Sequence, residues 1–189
     1  MGLIAALLLF TCVLLHELGH SLAALASGIP VARVTLFVFG GVAQIADEPR
    51  RPGMELKIAL AGPLVSAALA ALCWWLARTL PVHTAWQLAV WAVVRYLVVI
   101  NISILFFNLL PGFPLDGGRI LRAVLWAGTG QPRLATRIAS QLGHLLGVAL
   151  MAWGVWVAAH GAWMSGAWYL LLGSFLRNAA LASYRRASG

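Results

Sequence analysis

Charge is what this sequence most lacks. Asp, Glu, Lys and Arg make up only 10% of its 189 residues, against 62% hydrophobic, and the mean hydropathy is +0.90. A soluble domain carries roughly 25% charged residues, so a water-soluble globule is excluded and an integral membrane protein is expected. Cysteine is scarce as well. Cys12 and Cys73 both sit in apolar runs and read as buried thiols, which argues against a disulfide framework and leaves the redox compartment unspecified. The first apolar run, Met1 to Leu15, has no basic leading region and is followed at once by ionisable residues, so a cleaved secretory signal is not expected. Internal repeats, low-complexity tracts and a linker to a soluble domain are also missing. One membrane-embedded domain over residues 1–189 is the expectation.

What the chain does have is apolar length. Runs over Gly2–Ala26, Leu56–Ala77, Trp86–Leu110, Ile138–Ala159 and Ala162–Ala182 each suffice to cross a hydrocarbon core of ~30 Å, which takes about 20 helical residues. The fold class is therefore an all-α polytopic membrane protein with about five transmembrane helices. The formal net charge of +8 invites a nucleic-acid reading, but its distribution argues against one. With the second half of the first span facing the cytoplasm, eleven of the thirteen cations fall on that side; Arg78 lies outside and Arg95 within a span. That asymmetry is the positive-inside signature of orientation, so nucleic acid is not an expected partner and the lipid bilayer is.

Between the spans the character changes. Gly28-Ile29-Pro30 stops the first helix. Val31 to Ile45 is rich in Val, Thr and Phe and reads as a short β hairpin, able to pair with an extended peptide or simply to pack on the bundle. Asp47 to Gly53 reads as a surface loop. Ala61-Gly62-Pro63 suggests close helix approach early in the second span. After the third span, Asn108 to Gly118 holds two prolines and three glycines, so a broken helix is expected, sheltered by protein around a cavity. Asn101-Ile102-Ser103 matches a glycosylation pattern but sits mid-span and is discounted.

Against this apolar background His16-Glu17-Leu18-Gly19-His20 stands out. Ionisable groups inside a span are costly, and a cluster of them marks a functional site. On a helix, side chains four apart lie one above the other, so His16 and His20 can reach one metal ion. Glu17, about 100° round the helix, can address a water instead. A hydrolytic zinc site usually takes three protein ligands. Asp47 and Glu48 lie in the expected loop, and Glu55 appears where acidic residues ordinarily begin a helix. Asp116, in broken backbone at the edge of a span, is the expected third ligand. Two neutral imidazoles and one carboxylate also leave less net charge in a low-dielectric interior than three imidazoles would. Glu17 is then the base, and Asn108 a hydrogen-bond donor to substrate or developing oxyanion. Other readings stay open: Asp116 as a helix cap, Asn108 satisfying backbone freed by Pro111, and Cys12, one turn before His16, near the metal. His144 and His160 read as packing or interfacial residues and His83 as a loop residue, while Trp153, Trp156, Trp163 and Trp168 suggest an interfacial belt. Arg119 and Arg122 read as anchors at the inner surface or as guides for a substrate tail.

His-Glu-Leu-Gly-His in one span, and Asn-Leu-Leu-Pro-Gly-Phe-Pro-Leu-Asp-Gly-Gly-Arg at the end of a later one, resemble the site-2 protease family of intramembrane zinc metalloproteases. Phe39–Gly41 and Ala61–Pro63 are similar to stretches of its prokaryotic members. The resemblance implies one Zn²⁺ held by His16, His20 and Asp116, with Glu17 as base and Asn108 assisting. It further implies cleavage of membrane-spanning protein substrates near the cytoplasmic face of a prokaryotic cell membrane, often to release a regulator. Self-association is compatible with it. The sequence begins inside the His-Glu-x-x-His helix, as a trimmed core or a minimal member of that family would. Two competing classes are a metal or proton conduit and a catalytically silent protein that binds membrane helices. Neither requires a general base beside two ligands.

Overall fold

The computed structural model describes residues 2–37, 40–45 and 49–188. Phe39 of the Phe-Gly-Gly stretch, and Asp47 and Glu48 of the expected loop, lie outside them. Six helices and one strand pair are found among the described residues. In order they are α1 (Gly2–Ala26), β1 (Val31–Phe37), β2 (Gly40–Ile45), α2 (Pro52–Thr79), α3 (Ala85–Asn108), α4 (Asp116–Thr129), α5 (Pro132–Ala159) and α6 (Trp163–Ser188). Four of them, α1, α2, α3 and α5, are long and apolar enough to span a bilayer. The fifth expected span falls on α6, which is not one of the four. The chain divides into two compact units, Met1–Arg50 with Lys57–Asn108, and Arg51–Leu56 with Leu109–Gly189.

In the first unit α1 is built inside out. Its buried residues are Cys12, His16, Glu17, His20, Ser21 and Ala24, whereas Leu3, Leu7, Phe10, Leu14, Leu18, Leu22 and Leu25 are exposed. Such a helix is stable only where the exposed leucines meet lipid and the polar stripe meets protein. Gly28, at φ 78°, takes the left-handed conformation that ends the helix, and the Ile29 amide donates to the Ala24 carbonyl. β1 and β2 pair antiparallel, with Thr35 opposite Val42, and both lie against α1. At the start of α3, Gln87 Oε1 accepts from the His83 and Thr84 amides while the Gln87 amide donates to Thr84 Oγ1, a capping box. Pro63 is the twelfth residue of α2. Lacking an N–H, it leaves the Ala59 carbonyl without its helical donor.

The second unit depends on close backbone approach. The segment between Asn108 and Asp116 is non-helical, as its prolines dictate, and the Phe113–Pro114 bond is cis. The Phe113 amide donates to the Ala139 carbonyl of α5 at 3.1 Å. A Cβ on Gly117 would strike the carbonyls of Leu109 and Leu110, and one on Gly118 the backbone at Gly112. Both glycines lie inside α4, so the Asp116-Gly117-Gly118 run starts that helix hard against the preceding loop. α5 and α6 pack through Gly147 against Gly173 and through Gly154 against Gly166. In a bilayer, where no hydrophobic force joins helices, such small residues permit the van der Waals contact that does. Trp153, Trp156, Trp163 and Trp168 are all at least half exposed, and Trp153 stacks on Trp156.

Candidate metal centre

His16 and His20 occupy successive turns of the buried stripe of α1, at 3% and 4% exposure. Their Nε2 atoms lie 3.2 Å apart, with the rings edge to face at 79°. Two nitrogens sharing a tetrahedral zinc at about 2.0–2.1 Å would be separated by roughly 3.3–3.4 Å. The imidazoles are thus already spaced for a common ion.

Each ring is fixed from behind by α2. His20 Nδ1 is 2.7 Å from the Ile58 carbonyl, which only accepts, so Nδ1 carries the proton and Nε2 of the neutral ring presents a lone pair. His16 Nδ1 is 2.9 Å from Ser66 Oγ, which is fully buried. Partners on the far nitrogen set the tautomer and ring angle that a metal ligand needs. Between these contacts α2 carries Gly62. A Cβ there would strike His20 and come within 2.7 Å of His16 Nε2. The motif Ala61-Gly62-Pro63 therefore does admit close approach, but what approaches is the imidazole pair. One helix on, a Cβ at Gly19 would meet Val65 at 2.8 Å and the Ala61 carbonyl at 3.0 Å, so the two helices touch directly beside the histidines.

Glu17 lies between the two histidines in sequence and is buried at 9% exposure. Its backbone carbonyl accepts from Ser21 Oγ. Asn108 is the last residue of α3 and is half-buried. Asp116, in the second unit, is buried and is the first residue of α4. The N-cap position belongs to Leu115, one residue before Asp116. Cys12 accepts a hydrogen bond from Asn101 Nδ2 at 3.2 Å, which accounts for that buried thiol without a metal. His160 Nδ1 bonds to the Trp156 carbonyl at the end of α5, and His83 is an exposed loop residue.

Several functional neighbours were not legible. Ser66 and the Ile58 carbonyl are ordinary members of an apolar span until α1 is laid against them. Glu55 does stand in the first turn of α2, as expected, but it is 2% exposed, with a carboxylate oxygen 3.1 Å from Arg122 Nε. The Arg122 side chain is only 12% exposed and faces that carboxylate.

Comparison with known proteins agrees with this geometry. The profile of Peptidase family M50 matches residues 4–85 and 78–151. A protein of Synechocystis sp., named as a candidate zinc metalloprotease, is 40% identical over 187 residues, covering 99% of this chain and 48% of its own length. A zinc metalloprotease of Methanocaldococcus jannaschii is 35% identical over 149 residues, covering 79% of this chain and 42% of its own. The chain thus spans about half the length of the curated relatives it matches. The solved site-2 protease of M. jannaschii superposes with a TM-score of 0.68 at 29% identity, over 94% of this chain and 76% of that one. A buried His-Glu-x-x-His helix, an Asn-to-Asp motif after a broken third span and these matches together make this chain a member of Peptidase family M50, the site-2 proteases.

Proposed function

We propose that this chain is the catalytic core of an intramembrane zinc endopeptidase that hydrolyses peptide bonds in or beside transmembrane segments of other membrane proteins. The observation that carries the reading is the His16–His20 pair, 3.2 Å apart at Nε2 within an apolar helix and held from behind by Ile58 and Ser66. A conduit has no need to hold both rings from behind, or to fix His20 in the tautomer that offers Nε2 to a metal.

His16 and His20 would hold the zinc with Asp116 as third ligand. Supporting Asp116 are its burial, its place at the start of α4 and the charge balance of two neutral imidazoles with one carboxylate. When bound, zinc supplies Lewis acidity to the scissile carbonyl and makes the attacking water more acidic. Glu17 takes the proton from that water and returns it to the leaving amine, a role typically worth 10²–10⁴ in rate. Asn108, at the end of α3, donates to the substrate backbone as negative charge develops on the carbonyl oxygen. The low-dielectric surroundings strengthen each of these interactions.

A helical substrate hides its carbonyls in hydrogen bonds, so it must unwind before Glu17 can act. The open edge of the β1–β2 pair offers backbone partners to the extended segment that results. The cation distribution supports an orientation with the centre toward the cytoplasmic face, and the prokaryotic relatives support a prokaryotic cell membrane; the chain is read as one membrane-embedded domain. Glu17→Gln tests the reading. The variant is expected to keep stoichiometric zinc and lose cleavage of a reconstituted membrane substrate; cleavage at the parent rate would refute the assigned base.

A further inference from the structure

Glu55 and Arg122 form a buried ion pair that no step above uses. Taking both charges from water is costly, and such pairs are weak contributors to net stability, so their value is sought in what they position. Residues on a helix are ~100° apart, which puts Glu55, Ile58, Gly62 and Ser66 within about 80° of one another on α2. Three of these define the histidine pair: Ile58 holds His20, Ser66 holds His16 and Gly62 makes room for both rings. Glu55, one turn earlier on the same stripe, holds Arg122 of α4, the short helix that opens with Asp116.

We propose that the Glu55–Arg122 pair is a positioning device for the third metal ligand: it fixes the rotation of α4, and thereby the presentation of Asp116. The inference rests on the zinc reading. Arg122 follows Asp116 by six residues on a helix of 14, so restraining the guanidinium restrains the turn that bears the carboxylate. Gly117 and Gly118 let that turn nest closely, yet contribute no side chain to set its angle. Arg122 adds a charged anchor to the packing of α4 on α5.

The test measures zinc affinity by chelator competition in the full chain carrying Glu17→Gln, so that turnover plays no part. Glu55→Gln is expected to weaken zinc 10- to 100-fold, as loss of an outer-shell partner does. Glu55→Asp, which keeps the charge one methylene short, is expected to recover part of that loss. Gly147→Ala, which disturbs α5 against α6, serves as a comparison for general destabilisation and is expected to leave zinc affinity within about threefold. Unchanged affinity in a folded Glu55→Gln protein overturns the proposal. So does an equal loss in Gly147→Ala, or failure of both Glu55 variants to fold, since the pair would then serve the fold at large. A Glu17→Gln protein that takes up no zinc would instead sink the metal reading itself.

Discussion

Replacing Gly62 with alanine adds one methyl group where α2 comes closest to the imidazoles. The new Cβ would stand 2.6 Å from His20 Cε1 and 2.7 Å from His16 Nε2. His20 Nε2 is closer still. Ordinary contact between such atoms is about 3.5 Å, so the His16 ring must withdraw by roughly 0.8 Å and the His20 ring by more. Zinc–ligand distances tolerate only about ±0.2 Å. His20 cannot withdraw freely either, because its Nδ1 is tied to the Ile58 carbonyl at 2.7 Å. A ~100-fold loss of zinc affinity follows, or about 2.7 kcal/mol. Helix propensity acts in the opposite direction, since alanine favours a helix interior over glycine by about 1 kcal/mol. The apoprotein should therefore melt near the parent temperature, and the defect should show only with metal. At a free zinc concentration of 100 times the parent's dissociation constant, binding stabilises the parent by about 2.7 kcal/mol and the variant by about 0.4 kcal/mol. Thermal unfolding in detergent, with and without zinc, reads this difference directly. Gly53→Ala is the control on the same helix, where a Cβ meets nothing within 4 Å, and its zinc response should match the parent's. A full zinc-induced shift in Gly62→Ala would refute the argument that both rings are held against α2.

Further substitutions probe separate links. Ser66→Ala removes the partner of His16 Nδ1 and should weaken zinc about tenfold by chelator competition, with little change in fold. Asp116→Asn keeps the shape but not the charge of the proposed third ligand; zinc content after dialysis should fall well below one per chain. Gly143→Ala drives a methyl into the Phe113 carbonyl and should cost about 1–3 kcal/mol in thermal unfolding, as overpacking does. Substrate spans stiffened with Leu and Ala in place of Gly, Pro or polar residues should be cleaved more slowly in proteoliposomes, and unchanged rates would count against local unwinding.

Local features were legible in the sequence and distant pairings were not. The stop at Gly28, the break after Asn108 and the buried histidine stripe each follow from residues within a few positions of one another. Chain chemistry alone fixes φ > 0 at the glycine and denies a helix to Pro111 and Pro114. Glu55 begins its helix as expected, yet its burial and ion pair could not be read from the sequence. Its partner lies 67 positions on, in a helix whose neighbours sequence periodicity cannot name. Ser66 and Gly62 were opaque for the same reason: a serine or glycine mid-span looks like packing until an imidazole occupies the space beside it.

Anomalous X-ray scattering at the zinc edge from crystals of the zinc-loaded Glu17→Gln protein tests the central claim most directly. The account predicts one peak about 2.0–2.2 Å from the Nε2 atoms of His16 and His20 and from a carboxylate oxygen of Asp116. A peak coordinated elsewhere, or an Asp116 carboxylate outside bonding distance of the ion, would contradict it.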